Sequence, residues 1–419
     1  MMTRFLKLSA SLALACIALS CCGNSRRGTP LQSEADPSSS PMLTFTASSE
    51  SVSEPQSEVS PSTTNSLTMD FSASLLRNAA SQEGLADNLV LSPLSAGYAL
   101  SLLLEGATGP TREELLSVLG GSFGDIVPFT DENTIVNTAS SVWLKEGVTV
   151  LDSYRNAIEK KFSAQVETRD FSSRETVKEI NSWCSDHTAG RIPSIVGEIP
   201  GSTVMLLLNA LYFKAPWATP FNENFTKKGT FHSVAGDQKD VSFMNRNGKM
   251  DYYRCESFSS LSLPYKERYS MLFILPESGK DLSSVVSALD ADTMNRAIVG
   301  ASPCQVELRI PKFTIETTLN MNATLKAMGI RSAFTGGFGN MTTFPVAVSD
   351  VNQKCFLKVN EEGAEAAAVT SISMRLTSVR PETPVQFFVD RPFVFAIYDR
   401  VTKDVYFEGC IVKIEDSQN

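Results

Sequence analysis

The sequence contains few of the residues on which most hydrolytic sites depend. Its 419 residues include two histidines, His187 and His232. A serine or cysteine nucleophile is normally activated by a positioned imidazole. His187 lies in a polar segment typical of a helix end, and His232 follows a phenylalanine in a predicted strand. Both contexts indicate structural or surface histidines, so a catalytic hydrolase is disfavoured.

Sequence motifs for metals and nucleotides are also missing. The chain has no H-E-x-x-H motif, no Walker phosphate loop and no G-x-G-x-x-G loop. Five cysteines lie singly in the body of the chain, without C-x-x-C spacing: Cys184, Cys255, Cys304, Cys355 and Cys410. An odd, scattered set argues against a disulfide framework and against a zinc site. We therefore expect no metal and no cofactor.

The chain has fewer basic than acidic residues. The chain has 37 Lys and Arg against 46 Asp and Glu, a formal net charge of −9, and no basic run exceeds two residues. Nucleic-acid-binding surfaces are usually strongly basic, and membrane-binding segments are often polybasic. The composition therefore disfavours a nucleic-acid partner and a polybasic membrane contact.

The first 20 residues have the layout of a signal peptide. Arg4 and Lys7 precede an apolar stretch that is shorter than the roughly 20 residues of a membrane-spanning helix. The segment 18–21, Ala-Leu-Ser-Cys, is similar to a bacterial lipoprotein box, which predicts a lipidated Cys21. Ordinary secretion is the alternative. A lipid would anchor the protein to a membrane without spanning it.

Residues 21–66 are rich in Ser, Pro and Thr and poor in large apolar residues. Such a segment cannot bury enough apolar surface to order itself, so it is predicted to be a disordered linker. Residues 67–419 are predicted to form one large domain. Anchor, linker and domain together predict a lipoprotein of a bacterial outer membrane or cell surface, or otherwise a secreted protein.

The domain mixes helix and strand patterns. Helical spacing occurs over residues 69–80, Ser92 and Pro93 are typical of a helix start, and residues 317–328 before Gly329 predict a further helix. Apolar or alternating runs over 204–213 and 305–316, and several more towards the C-terminus, predict strands. Helices come mostly early and strands mostly late, which predicts an α+β fold.

The segment 360–384, NEEGAEAAAVTSISMRLTSVRPETP, is unusual in composition. From residue 364, alternate positions carry uncharged side chains, whereas Glu365 and Arg375 both fall in the intervening set. The uncharged positions are Ala364, Ala366, Ala368, Thr370, Ile372 and Met374. This period of two is typical of a half-buried strand, although the small residues make a poor strand on their own. A solvated surface loop and a conditional strand both remain open.

The same segment carries a family resemblance. NEEGAEAAAVT resembles the hinge of the serpin reactive-centre loop, and FFVDRPFVFAI, residues 387–397, resembles the serpin C-terminal signature. Further motifs such as NLVLSPLSAGYALSLLLEG, LLLNALYFKAPWATPF and VELRIPKFTIE follow in the family's order between residues 67 and 414. The resemblance implies the serpin fold, with a large, mostly antiparallel central sheet, further sheets and about eight to nine helices.

The resemblance also implies a function. Serpins are metastable suicide inhibitors: a serine protease cleaves the reactive-centre loop, here about 361–384, and is trapped as an acyl-enzyme while the hinge inserts into the main sheet. The implied partner is a serine protease, or also a cysteine protease, in a covalent 1:1 complex with a monomeric inhibitor. The implied hinge residues are Glu361, Glu362, Gly363, Ala364, Glu365, Ala366, Ala367 and Ala368.

Other positions carry over from the family pattern. Ser92, Ser95 and Asn209 resemble the polar cluster beneath the opening sheet, and Gln353 stands where the family often has histidine. Trp217 resembles the tryptophan where insertion begins. Each of these residues could also be an ordinary member of the protein core. Ala364 departs mildly from the usual Thr or Ser, and the hinge has no proline before Pro381, which favours an active inhibitor.

The family spacing, counted from Glu361, places the scissile bond between Thr377 and Ser378. Arg375–Leu376 is an alternative suited to trypsin-like pockets, and Met374 or Leu376 would suit chymotrypsin- or papain-like ones. Two other functions compete with inhibition. A non-inhibitory serpin would act as a binding or carrier protein, and a secreted hydrolase would turn over a substrate.

Overall fold

The computed structural model describes residues 67–121, 123, 126–364 and 383–415. Eight α-helices lie in these ranges: α1 (Leu67–Glu83), α2 (Pro93–Gly106), α3 (Gly109–Leu119), α4 (Asp152–Phe162), α5 (Arg174–His187), α6 (Leu282–Ala288), α7 (Ala291–Val299) and α8 (Asn322–Met328). Short 3₁₀ helices lie at Glu223–Phe225 and Ser332–Phe334. None of the helices in these ranges is long and apolar enough to cross a bilayer.

Fifteen strands lie in the same ranges: β1 (Leu89–Leu91), β2 (Ile135–Lys145), β3 (Gln165–Arg169), β4 (Met205–Pro216), β5 (Lys227–His232), β6 (Gln238–Arg254), β7 (Phe258–Pro264), β8 (Tyr269–Pro276), β9 (Ser302–Pro311), β10 (Phe313–Asn320), β11 (Asp350–Val359), β12 (Gly363–Ala364), β13 (Val385–Phe388), β14 (Phe393–Asp399) and β15 (Val405–Ile411). This is the predicted α+β composition, with most helices in the first half.

The strands form two sheets. A six-stranded sheet has the order β10-β11-β12-β4-β2-β3, and a nine-stranded sheet has the order β1-β15-β14-β8-β7-β6-β9-β13 with β5 on β6. Most pairings are antiparallel, whereas β2–β3, β4–β11 and β9–β13 are parallel. The six-stranded sheet contains the two-residue strand β12 between β11 and β4.

The long apolar strand β4 is buried on both faces, as its sequence predicts. Leu207 and Leu211 point into the main core, which also contains residues of α1, α2 and the nine-stranded sheet. Leu206 and Leu208 alternate with them and pack on the other face, against Ile180 of α5 and the loop that follows it. A strand covered on both faces needs apolar residues at every position.

The start of α2 is fixed by its predicted cap. The Ser92 side chain accepts a hydrogen bond from the Ser95 amide at 3.2 Å, and Pro93 occupies the first turn. Ser92 thus satisfies one of the amide groups that a helix start leaves unpaired.

Two predicted element boundaries were wrong. Residues 317–320 belong to β10, which pairs with β11 as far as Asn320 opposite Asn352, so the helix closed by Gly329 begins at Asn322. The predicted strand over 305–316 is divided at Lys312 into β9 and β10, which belong to different sheets. Alternation alone cannot show where a strand passes from one sheet to another.

Candidate functional site

The strands β4 and β11 pair directly along only part of their length. Their parallel register runs from Leu206 opposite Asp350 to Leu211 opposite Cys355. Beyond that point β12 lies between them: Ala364 pairs with Ala215 of β4 and with Val359 of β11. The chain leaving β11 therefore turns back and begins an additional strand within the sheet.

The first residue of β12 must be glycine. Gly363 has φ +149°, and a Cβ at this position would lie 2.2 Å from the Ala215 carbonyl oxygen and 2.7 Å from the Pro216 Cα. Such distances are far below van der Waals contact, and both atoms belong to the backbone of β4. Any other residue would push β12 away from β4.

Ala364 completes β12 and is 1% exposed in the main core. It is the first position of the uncharged alternate set predicted to face inwards. Four of the predicted hinge residues, Glu365, Ala366, Ala367 and Ala368, lie outside the described residues.

The turn before β12 is held by hydrogen bonds. The Asn360 side-chain oxygen accepts from the amides of Glu362 and Gly363, both at 3.1 Å. The Trp217 indole N–H donates to the Asn360 carbonyl oxygen at 2.9 Å, and the Trp217 amide donates to the Glu362 carbonyl oxygen at 2.8 Å. The Trp217 ring also stacks on Tyr265, with centroids 4.3 Å apart. Trp217 is thus a fixed support for the hinge turn.

Glu361 attaches the turn to two neighbouring connecting segments through its buried carboxylate. Its carboxylate, 5% exposed, lies 2.9 Å from the Lys312 ammonium and accepts a hydrogen bond from the Thr226 hydroxyl at 2.7 Å. Burial raises the pKa of Glu361, but the hydrogen bonds from Lys312 and Thr226 outweigh it, so the pKa lies below its usual value. Lys312 and Thr226 were not predicted, because no sequence pattern links them to Glu361.

The predicted polar cluster is present beneath the junction of β4 and β11. Asn209 and Gln353 lie opposite each other in the register of these strands. The Ser92 amide donates to Gln353 Oε1 and Gln353 Nε2 donates to the Ser92 carbonyl oxygen, each at 2.9 Å. The Ser95 hydroxyl donates to Asn209 Oδ1, and Asn209 Nδ2 donates to the Ser95 carbonyl oxygen at 2.6 Å. Both strands are therefore hydrogen-bonded to the start of α2.

The cluster has further members that were not predicted from the sequence. Asn209 Nδ2 also donates to the Ser140 hydroxyl of β2 at 2.8 Å, and the Cys355 thiol lies 3.7 Å from Gln353 Oε1. Burial raises the pKa of Cys355 above its ordinary value, so the thiol is protonated at neutral pH. These groups extend the polar cluster across three neighbouring strands.

The histidines lie in structural positions. His187 ends α5, where its Nδ1 lies 2.7 Å from the Trp183 carbonyl oxygen, and His232 ends β5. Residues 120–124 have G-x-S-x-G spacing, a match that the motif search overlooked. In chain order they come after α3, whereas a nucleophile elbow comes after a strand, and Ser122 and Gly124 lie outside the described residues. Among the described residues there is no group of three or more potential metal ligands.

Cys184, Cys355 and Cys410 are free thiols and are buried, as small hydrophobic residues are. Three predicted features fall outside the described residues: Cys21, the bond Thr377–Ser378 and the alternatives Met374, Arg375 and Leu376. Nothing in the described geometry tests them.

Comparison with known proteins identifies the family. The family model Serpin (serine protease inhibitor) matches residues 66–414. The chain is 33% identical over 358 residues to a serine protease inhibitor of Cyanea capillata, a match that covers 78% of this chain and 93% of the relative.

Solved structures agree with this assignment. Human thyroxine-binding globulin superposes with a TM-score of 0.77 at 25% identity, covering 84% of this chain and 98% of that structure. The thermophilic serpin tengpin in its native state also has a TM-score of 0.77, at 28% identity, covering 83% and 93%. The chain therefore belongs to the serpin (serine protease inhibitor) family, which is a family of protease inhibitors in general and not of enzymes.

Proposed function

We propose that this chain is a suicide-type inhibitor of serine endopeptidases, with cysteine proteases as a second class to be tested. The proposed mechanism has three steps: the protease cleaves the reactive-centre loop, it is trapped as an acyl-enzyme, and the loop inserts into the six-stranded sheet. The observation that carries the proposal is β12, which occupies the first two positions between β4 and β11. Strand addition gains backbone hydrogen bonds on both sides of the new strand.

The register of β12 supports continued insertion. Because β12 is antiparallel to both neighbours, each further hinge residue moves one position back along β4 and β11. Counting from Ala364, Thr370 comes level with Asn209 and Gln353. The single hydroxyl of the alternate set then meets the polar cluster, while its other members, which are all apolar, face the main core.

The charge pattern of the hinge supports the same mechanism. Burying an unpaired charge costs several kcal/mol, and none of the six alternate residues from 364 to 374 is charged. The intervening residues Glu365 and Arg375 would face outwards. The hinge can therefore enter the sheet without burying a charge in the main core.

The scissile bond is proposed to be Thr377–Ser378. Insertion must carry the protease far enough to distort its active site, so the length of the inserted segment matters. Cleavage at Arg375–Leu376 would shorten it by two residues, about 6.6 Å at the usual strand rise. Thr377 would suit elastase- or subtilisin-like pockets, and Arg375 would suit trypsin-like ones.

Export and anchoring complete the proposal. Residues 1–20 act as a signal peptide, Cys21 is lipidated, and residues 21–66 tether the domain of residues 67–419 at a bacterial surface. The protein acts there as a monomer and forms a covalent 1:1 complex with its target. Without lipidation it is secreted. Mass spectrometry of the mature N-terminus distinguishes a lipidated Cys21 from simple cleavage.

The central experiment mixes residues 66–419 with trypsin, pancreatic elastase, subtilisin and papain. We expect a band at the summed mass that survives SDS, with a released C-terminal peptide that begins at Ser378. Cleavage by every protease without such a band would overturn the inhibitor proposal for these classes.

The same experiment distinguishes inhibition from a carrier function. The similarity to thyroxine-binding globulin, which binds thyroxine, keeps a non-inhibitory binding role as the second candidate. Loop cleavage that raises the thermal midpoint shows insertion, because the new strand adds pairing and burial. Cleavage with no complex and no rise in the thermal midpoint would favour the carrier role.

A further inference from the structure

Glu408 is an ionisable residue inside the hydrophobic core, and neither the fold nor the proposed inhibition accounts for it. It lies within β15, whose seven residues are all buried, and its exposed fraction is 0%. Leu91 of β1 and Ala396 of β14 lie opposite it on the two neighbouring strands. The carboxyl group is thus introduced into a strand that is otherwise almost entirely apolar.

The partners of this carboxyl group are few. The Ser72 hydroxyl of α1 donates to Glu408 Oε2, whereas Oε1 has no hydrogen-bond partner among the described residues. A buried carboxylate is normally paired with a cation or accepts several hydrogen bonds. One neutral hydroxyl provides neither, so the surroundings favour the uncharged acid.

The other titratable groups on the surrounding elements do not offset a negative charge. On β15 itself, Tyr406 and Cys410 share the face of Glu408, and burial raises the pKa of both. On α1, Arg77 donates to the Leu289 carbonyl oxygen, while Asp70 and Glu83 are exposed. On α2, Tyr98 donates to the Ile126 carbonyl oxygen and Glu105 pairs with Lys161. On β14, Tyr398 donates to the Ser262 hydroxyl and Asp399 contacts Arg268, while Asp404, just before β15, accepts a hydrogen bond from the Thr68 hydroxyl. β1 has no titratable residue.

We propose that Glu408 is a proton-dependent stability switch, which is a carboxylic acid in the folded protein and loosens the packing of α1 on β15 when it ionises. This inference is independent of the proposed protease inhibition. The part of the fold that responds to this ionisation is the contact between α1 and β15, which the hydrogen bond from Ser72 to Glu408 bridges.

The sign of the effect follows from burial. Burial raises the pKa of Glu408 well above its ordinary value of 4.5, and the Ser72 hydrogen bond opposes this only in part. Above pH 4.5 the unfolded chain releases this proton while the folded protein keeps it. Linkage then lowers the folding equilibrium constant by up to about tenfold per pH unit, until the folded protein also ionises. The stabilising contribution is therefore complete at low pH and is lost as the pH rises.

The test compares the full-length chain with its Glu408→Gln variant, which keeps the shape but cannot ionise. Thermal midpoints are measured between pH 5 and pH 9, with the exposed Glu256→Gln as a matched control. As the pH rises, we expect the thermal midpoints of the wild type and of Glu256→Gln to fall relative to that of Glu408→Gln. Parallel pH profiles for all three proteins would overturn the proposal.

A spectroscopic measurement decides the matter even if Glu408→Gln fails to fold. At neutral pH the wild type should show the infrared carbonyl band of a protonated carboxylic acid, which exposed carboxylates lack. Ser72→Ala removes the hydrogen bond to this group and should shift the band. Absence of the band from the wild type, or a band that Ser72→Ala leaves unchanged, would overturn the assignment.

Discussion

Asn209 of β4 and Gln353 of β11 lie opposite each other, yet each makes its closest hydrogen bonds to a serine at the start of α2. The two strands that the proposed loop insertion would separate are therefore held by the same helix terminus. A new strand can pass only when at least one of these serine contacts is released or rearranged.

Gln353→Ala should weaken this junction. The buried amide of Ser92 loses its acceptor, and leaving such a group unpaired costs about 1–3 kcal/mol of unfolding free energy. Denaturant unfolding followed by circular dichroism measures the loss. The uncleaved variant should also convert faster on warming to a more heat-stable, loop-inserted form. The exposed Asn247→Ala is the control, and equal behaviour of the two variants would contradict the prediction.

Lys312→Met should release the hinge turn by removing the cation beside Glu361. Loss of a hydrogen bond to a charged group should lower the unfolding free energy by about 1.5–3 kcal/mol.

The pH dependence of this ion pair has a definite sign. The pKa of Glu361 is lowered in the folded protein, so its stabilisation is present above the ordinary pKa of 4.5 and is lost as the pH falls through the folded pKa. The gap in unfolding free energy between wild type and Lys312→Met should therefore narrow below pH 4.5. A gap that stays constant down to acid pH would argue against the ion pair.

Gly363→Ala should expel β12 from the sheet, because the added Cβ would overlap the Ala215 carbonyl oxygen. We expect slower insertion, so that most of the variant is cleaved as a substrate and the yield of covalent complex falls several-fold. Densitometry of denaturing gels measures this yield. Gly248→Ala is the control, since a Cβ there meets nothing within 4 Å. An unchanged yield for Gly363→Ala would contradict the role of β12.

Glu365→Lys should slow the next step of insertion. Extending β12 by one residue brings position 365 level with Lys214 of β4 and Lys358 of β11. A carboxylate there gains two surface ion pairs, each worth about 0.2–1 kcal/mol, whereas a third ammonium is repelled. Stopped-flow measurement of a fluorophore attached to the loop should show insertion slowed roughly two- to tenfold. Glu256→Lys should leave this rate unchanged.

Sequence patterns predicted the parts of this site that depend on short-range order. The Ser92 cap, the doubly buried β4 and the inward position of Ala364 each follow from spacing within a few residues. The family resemblance supplied Asn209, Gln353 and Trp217, which no periodicity distinguishes from ordinary core.

Contacts between segments that are far apart in the chain could not be predicted from the sequence. Thr226 and Glu361 are 135 residues apart, and Ser72 and Glu408 are 336 apart. Neither pair leaves a periodic signal, because each contact depends on how the two sheets and α1 pack. The end of β10 was misplaced for a related reason: its pairing with β11 extends it to Asn320, at the expense of the predicted helix.

The bond from the Trp217 indole to the Asn360 carbonyl oxygen gives the protein an optical reporter. The chain has three tryptophans, and the other two, Trp143 of β2 and Trp183 of α5, belong to the apolar cluster between α5 and the outer face of the sheet. With those two replaced by phenylalanine, the remaining emission would come from the ring that supports the hinge. The intensity and wavelength of that emission would then follow the arrival of each new residue between β4 and β11 in real time, without any attached dye.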